Sequence, residues 1–201
     1  GGFGVGDLDD PQVAPLLRSL TLNGDVVAIV SFWSGLLCTL ALLTLTFLWK
    51  RKGFRDVLGI RPFTLRSLLT WAGIFIVLMA LLELLAWLSP VFQAPFMESV
   101  LGSTTNMLLL ILGVGVMAPV FEEFLLRGLL LGSLRYVVNE HVAVAISAGV
   151  FTVMHLQYEA PVMLLILPMG VVLGYARVRS GSIFVPILLH MMNNMASTFL
   201  N

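Results

Sequence analysis

The chain of 201 residues is 59% hydrophobic and only 11% charged, and its mean hydropathy of +1.01 lies well outside the range of soluble globular proteins. These values predict an integral membrane protein with one membrane domain. Eleven basic residues balance 11 acidic ones, which argues against a nucleic-acid partner. The single Cys38 excludes a disulfide framework and a cysteine-based metal site.

Residues 1–24 form a polar, acidic, glycine-rich stretch, for which we predict a surface segment. The membrane domain is predicted over residues 25–201. Its first span is expected at Val26–Trp49, an apolar run of 24 residues that suffices to cross a hydrocarbon core of about 30 Å. Basic residues dominate positions 50–66, and the positive-inside rule therefore places this loop in the cytoplasm.

Five further apolar segments follow, of which the second, Asn106–Val138, has 33 residues. A continuous helix of that length would measure about 50 Å, more than a bilayer needs. We therefore predict a break at Pro119, which lacks a backbone donor. The predicted fold is all-α, a polytopic transmembrane helix bundle with about six to seven spans, seven if the long segment splits. The other predicted spans are Ser67–Leu88, Val142–Leu156, Pro161–Val178 and Ile183–Leu200.

Three of the four charged residues in the long apolar segment, Glu122, Glu123 and Arg127, lie within six positions of each other. Charges inside a hydrophobic span are costly, so they persist where they pair, line a polar cavity or carry function. Glu123 and Arg127 have the helical spacing of an ion pair. Glu122 lies about 100° further round the helix and is free to point into a cavity. Alternatively, both acids cap a helix that begins at Pro119, which leaves Arg127 unexplained.

Two of the three histidines lie in predicted spans, and each has a partner four residues away. Phe151 and His155 share one helix face, and so do His190 and Asn194. Singly, such groups are typical of hydrogen bonds between membrane helices. Their number on three helices favours a shared site.

The depth of these groups agrees with a common location. Measured from a turn near Asn139, Glu122 lies 17 residues earlier and His155 lies 16 residues later. In an antiparallel helix pair both would therefore lie about 25 Å from the turn. The spacing predicts that they meet.

Three motifs stand in order along the chain. Glu122-Glu123-Phe-Leu-Leu-Arg127 reads EExxxR, Phe151 to His155 reads FxxxH, and His190 to Asn194 reads HxxxN. Together they resemble the CAAX prenyl protease and bacteriocin-processing (CPBP) family of intramembrane proteases, related to type II CAAX prenyl endopeptidases. The resemblance covers roughly Leu58 to Asn201, and no motif position departs from the pattern.

The resemblance implies an intramembrane endopeptidase that hydrolyses a peptide bond of a membrane-associated or prenylated (CAAX-like) protein or peptide. Glu122, helped by His155, would activate the attacking water. His190 and Asn194 would donate hydrogen bonds to the carbonyl oxygen. The supporting residues would be Glu123, Arg127 and Phe151.

Metal dependence and two other functions remain open on the sequence. Glu122, His155 and His190 would make an adequate zinc set. The motif HExxH is absent, however, and a Glu/His pair can activate water unaided, so we favour a site without a cofactor, with zinc as the alternative. In a non-catalytic immunity or scaffold protein the same groups would only lock helices together. In an ion or proton transporter they would form a relay with Glu83.

The expected partners are a membrane-associated protein or peptide substrate and the lipid bilayer. We expect an integral protein that crosses a prokaryotic cytoplasmic membrane several times. If Asn106–Val138 crosses once, Arg135 joins the cytoplasmic loop and Glu122 lies nearer the outer face. The chemistry of prenylated proteins favours access from the cytoplasm instead. We therefore predict two crossings, with the break near Pro119.

Overall fold

The computed structural model describes residues 13–93 and 95–199, and these contain helices and no strand. The predicted all-α bundle is confirmed. Of the predicted N-terminal surface segment, residues 1–12 lie outside the described residues, and the helix α1 follows them. The helices are α1 (Val13–Thr21), α2 (Gly24–Lys50), α3 (Phe54–Leu58), α4 (Leu65–Leu88), α5 (Pro95–Ser103), α6 (Met107–Leu134), α7 (Glu140–Val153), α8 (Ala160–Ser180) and α9 (Phe184–Phe199).

Four helical segments within the described part of the chain are long and apolar enough to cross a membrane. They begin with α2, which continues through α3, and include α4, α6 and α8. The other two predicted spans are helical but shorter, with 14 residues in α7 and 16 in α9. A full crossing takes about 20 residues, so α7 and α9 depend on their neighbours to lie in the bilayer. The chain is an integral membrane protein.

Polar side chains fix where the long helices begin. Asn23, Thr64, Asn106 and Asn139 each precede a helix and accept a hydrogen bond from the backbone N–H three residues later, at 3.0–3.2 Å. Each bond satisfies one of the donors that a helix start leaves free. The loops between spans are therefore polar for a structural reason.

Pro119 does not break the long segment, so the predicted break is wrong. The helix α6 runs without interruption from Met107 to Leu134. Residues Ile111–Met117, directly before the proline, are π-helical, and the N–H of Ala118 bonds to the carbonyl of Gly113. This wider turn shifts the hydrogen bonds by one residue, which accommodates a residue that cannot donate. The long segment crosses once.

The helix α6 lies at the centre of the bundle, in contact with α2, α7, α8 and α9. Side chains from α4, α6, α7, α8 and α9 form the largest buried apolar cluster, which includes Phe75, Leu126, Phe151, Leu173 and Leu189. This packing holds the part of α6 that carries Glu122, Glu123 and Arg127 against α7, α8 and α9.

Basic residues collect at one end of the bundle, where α2, α6 and α8 finish and α4 begins. We call this the basic end. Because positively charged loops stay in the cytoplasm, we expect this end to face inward. It carries nine of the chain's 11 lysines and arginines, namely Lys50, Arg51, Lys52, Arg55, Arg61, Arg66, Arg135, Arg177 and Arg179.

Single-cysteine labelling tests this orientation. In a Cys38→Ser background, Asn139→Cys and Ser180→Cys lie at the basic end, whereas Gln93→Cys lies in the exposed turn after α4. We expect a membrane-impermeant thiol reagent on intact cells to label the cysteine at position 93 and to spare the other two until the cells are opened. Labelling of positions 139 and 180 in intact cells, with protection of 93, would reverse the orientation.

Candidate active site

A fully buried ion pair lies beneath the site and supports it. Glu123 and Arg127 are both 0% exposed, and Nη1 of Arg127 donates to Oε1 of Glu123 at 2.9 Å. Nη2 of Arg127 donates to the carbonyl of Gly170 on α8, also at 2.9 Å. The guanidinium carbon lies 4.5 Å from the centre of the Phe151 ring on α7. The ion pair is the one that the helical spacing predicts. The two further contacts of Arg127 tie α7 and α8 to the same turn of α6.

Gly170 permits this contact because α8 approaches α7 closely there. A Cβ at position 170 would lie 3.1 Å from Cδ1 of Phe151 and 3.2 Å from Cα of Ala148. With a side chain at this position, Phe151 or Ala148 would have to yield by a few tenths of an ångström, at the point where the Gly170 carbonyl accepts from Arg127.

His190 extends the pair toward α9. It is 1% exposed, and its Nδ1 lies 2.9 Å from Oε1 of Glu123. A carboxylate paired with an arginine only accepts hydrogen bonds, so Nδ1 carries the proton. The ring also packs edge to face on Phe151, with the centroids 5.4 Å apart. Both contacts fix the direction of Nε2.

Glu122 lies on the other side of His190. Its Oε2 is 3.9 Å from Nε2 of His190, too far for a hydrogen bond. This oxygen is buried and has no hydrogen-bond partner in the described part of the protein. Buried carboxylate oxygens are normally satisfied, so an unpartnered one beside a cavity is a candidate for chemistry.

His155 is oriented by its own helix end. Its Nδ1 lies 2.8 Å from the carbonyl of Phe151, which can only accept, so Nδ1 is protonated. In the neutral ring Nε2 is then a hydrogen-bond acceptor. Phe151 also packs edge to face on the His155 ring at 4.7 Å, so one aromatic residue positions both histidines.

Asn194 is held by a bond to the π-helical part of α6. Its Nδ2 donates to the carbonyl of Val114 at 2.9 Å. An amide nitrogen has two N–H groups, so the second is free to donate elsewhere. The π-helical turns therefore have two roles: they accommodate Pro119, and they present the Val114 carbonyl that holds Asn194.

These groups line one cavity of about 390 Å³, within the size range of ligand sites. The structure brings together the four predicted catalytic residues, Glu122, His155, His190 and Asn194, on its wall. The predicted supporting residues Glu123, Arg127 and Phe151 lie behind them. Much of the remaining wall is apolar, with side chains from α2, α4, α5 and α8 that include Val27, Leu82, Phe96, Val162 and Ile166.

Tyr158 is a cavity residue that lies outside the three sequence motifs. Its ring stacks on His155, with the centroids 6.3 Å apart and the planes 14° from parallel. Burial, together with the negative charge of Glu122, raises the pKa of Tyr158 to about 12. The phenol therefore keeps its proton at neutral pH. Its position three residues after His155 was the available sequence signal.

The residues proposed as zinc ligands do not form a complete donor set. No three histidine, cysteine, aspartate or glutamate side chains lie close enough together to hold a metal ion, as far as residues 13–93 and 95–199 are concerned. The bonds at Nδ1 of His190 and His155 leave both Nε2 atoms free, and Nε2 of His190 lies 3.9 Å from Oε2 of Glu122, but no third donor converges on the same point within the described residues. A tetrahedral zinc site needs three protein ligands converging on one point.

The cavity lies away from the basic end. Its walls include the start of α2, the α7–α8 turn with Tyr158, and the final turns of α9 with Ser197. Cytoplasmic access required two crossings by residues 106–138, and α6 makes one. The single helix places the basic end and the cavity at different depths, and the side from which substrate enters stays a prediction.

Two comparisons with known proteins found sequences similar to this chain. An uncharacterized 24.3 kDa protein of Escherichia coli is 32% identical over 102 residues, which are 48% of this chain and 47% of that protein. The chain thus matches about half the length of this curated relative. No solved structure matches it. The model for type II CAAX prenyl endopeptidases, Rce1-like, matches residues 104–196, which contain every predicted site residue. This part of the chain, and with it the candidate active site, is similar to the Rce1-like family of type II CAAX prenyl endopeptidases.

Proposed function

We propose that the protein is an intramembrane endopeptidase that hydrolyses a peptide bond with a water activated by Glu122 and His155. The observation that carries the proposal is the buried, unpartnered Oε2 of Glu122 on the wall of a cavity shared with both histidines. The match to an endopeptidase family supports the same reaction class.

The first step is proton transfer from water to Glu122. His155, protonated at Nδ1, accepts a hydrogen bond from that water at Nε2 and so directs the oxygen lone pair toward the substrate. The water oxygen bonds to the scissile carbonyl carbon, and the carbonyl oxygen becomes an oxyanion. Holding both reactants against fixed groups lowers the entropic part of the barrier.

The oxyanion faces donors on α9. The second N–H of Asn194 is available there, and His190 donates from Nε2 in its doubly protonated form while its Nδ1–H stays on Glu123. Glu122 then returns its proton to the leaving nitrogen. The C–N bond breaks, which gives one new carboxylate and one new amine.

Support from Glu123 and Arg127 is structural in this mechanism. Oε1 of Glu123 accepts from both Arg127 and His190. The ion pair thereby fixes the donor ring, and Phe151 fixes its tilt. The side chains that touch substrate are Glu122, His155, His190 and Asn194.

For the substrate we propose a membrane-associated or prenylated protein or peptide. The family is described as CAAX prenyl endopeptidases, and the apolar part of the cavity wall suits a lipid-modified or membrane-inserted segment. The position of the cavity away from the basic end favours a substrate that enters from the outer side of a prokaryotic cytoplasmic membrane.

Cleavage in isotopically labelled water tests the proposal. Purified protein is incubated with membrane-inserting peptides, with and without a C-terminal prenyl group, in H₂¹⁸O, and the products are weighed by mass spectrometry. We expect a single cut with one ¹⁸O in the new carboxylate. If no peptide is cut above the rate of a Glu122→Gln control, the proposed endopeptidase activity is refuted for these substrates.

Chelation is expected to leave the activity intact, because the site does not gather three metal donors. After exhaustive dialysis against a chelator, the cleavage rate should stay within about twofold of the untreated rate, since a lost catalytic metal would cost several orders of magnitude. Elemental analysis should find less than one zinc per chain. Activity that disappears on dialysis and returns with added zinc would establish a metalloprotease.

A further inference from the structure

A second pocket, of about 420 Å³, lies at the basic end of the bundle. Three arginines line it, Arg61 after α3, Arg135 after α6 and Arg177 in the last turn of α8. Among the described residues, the only acid on its wall is Asp56, which is paired with Arg61 at 2.8 Å. Two positive charges therefore lack an acidic partner within the described residues.

Arg177 is the unusual member, because it is only 3% exposed. Its Nε is buried with no hydrogen-bond partner, and its one hydrogen bond in the described structure goes from Nη2 to the carbonyl of Val57, at a long 3.5 Å. Buried guanidinium groups are normally paired with an anion, since an isolated buried charge is strongly unfavourable. The pocket supplies donors and positive charge but no counter-ion.

The backbone around Arg177 is shaped to admit it. Gly59 adopts φ +70°, and a side chain there would collide with the Arg177 guanidinium. Gly59 also accepts a hydrogen bond from the N–H of Ile183 at 2.9 Å, which anchors the α3 turn to the start of α9. The Arg177 guanidinium is thus held against the α3 turn, on the wall of the pocket.

We infer that the pocket of Arg61, Arg135 and Arg177 binds the phosphate of an anionic lipid head group. Arginine forks match phosphate oxygens in geometry and charge. Basic pockets between membrane helices on the cytoplasmic side are suited to such head groups. Tyr136 on the pocket wall is 73% exposed and the adjacent Val137 is 77% exposed, so an apolar surface for acyl chains borders the charged one.

Binding there would stabilise the bundle far from the cavity. The pocket joins the α3 turn to the ends of α6 and α8, and the same two helices hold Arg127 and Gly170. A bound phosphate would neutralise the arginines and fasten these ends together. The site is independent of the proposed hydrolysis, since none of its residues lines the cavity.

Thermal stability of the full chain, delipidated in a neutral detergent, tests the inference. Phosphatidylglycerol at roughly 100 times its Kd should raise Tm by about 5 °C. Phosphatidylcholine, which has no net charge, should raise it far less. Native mass spectrometry should find one phosphatidylglycerol retained per chain.

Two variants at the same end give the control. Arg135→Gln should lose at least about half of the shift, and Arg66→Gln, an exposed arginine outside the pocket, should keep it. Arg135→Gln leaves the buried Arg177 untouched and so tests the pocket even if Arg177→Gln does not fold. If inorganic phosphate raised Tm as much as phosphatidylglycerol does, the pocket would bind an anion, but the proposal that the anion is a lipid head group would be overturned. Absence of any shift, or an equal shift in Arg135→Gln and Arg66→Gln, would overturn the site itself.

Discussion

Glu122→Gln is expected to lower the rate of peptide cleavage by about 10²- to 10⁴-fold, the usual contribution of a general base. The amide has nearly the same shape as the carboxylate but cannot take a proton from water. Because Oε2 of Glu122 has no hydrogen-bond partner, the change removes no bond from the fold. Thermal stability should therefore stay close to that of the unmodified protein.

Glu83→Gln is the matched control for this variant. Glu83 is also an acid in a predicted span, but it lies exposed on the surface of α4 and does not line the cavity. We expect full cleavage from it. A loss at Glu83 equal to that at Glu122 would favour a relay of acids, as in the transporter hypothesis, and full activity in Glu122→Gln would eliminate the glutamate mechanism.

The meeting of the motif residues at one cavity could be predicted because the motifs follow helical spacing. A separation of four residues puts Glu123 beside Arg127, and the same separation puts Phe151 beside His155. Such relations depend only on the local helix. Counting from the turn near Asn139 was enough to place Glu122 and His155 at one depth, and both line the same cavity.

Features that depend on tertiary contacts were harder to predict. A proline in a long apolar run indicates a break, yet the π-helical turn before Pro119 keeps α6 continuous. That turn also presents the Val114 carbonyl to Asn194, a contact between residues 80 positions apart. The partnership of Glu123 with His190 is likewise remote in sequence. Hydropathy alone also extended α7 to Leu156, whereas the helix ends at Val153, since apolar composition persists into the turn.

Arg127→Met is expected to destabilise the protein by about 3–5 kcal/mol, which would lower Tm by roughly 10 °C. Methionine fills much of the volume of arginine but leaves the Glu123 carboxylate buried without its cation. It also removes the bond to Gly170 and the contact with Phe151. Cleavage should fall as well, because Arg127 no longer fixes the Glu123 oxygen that accepts from Nδ1 of His190.

Replacing both partners separates the cost of a stranded charge from the loss of function. In Glu123→Leu with Arg127→Met no charge of the pair remains, and apolar replacements of buried pairs are often neutral or stabilising. We therefore expect the double variant to regain most of the lost Tm. Cleavage should stay low, because Nδ1 of His190 has lost the acceptor that orients its ring. Melting equal to that of the single variant would show that the contacts to Gly170 and Phe151, rather than the ion pair, hold the helices together; recovered cleavage would remove Glu123 from the mechanism.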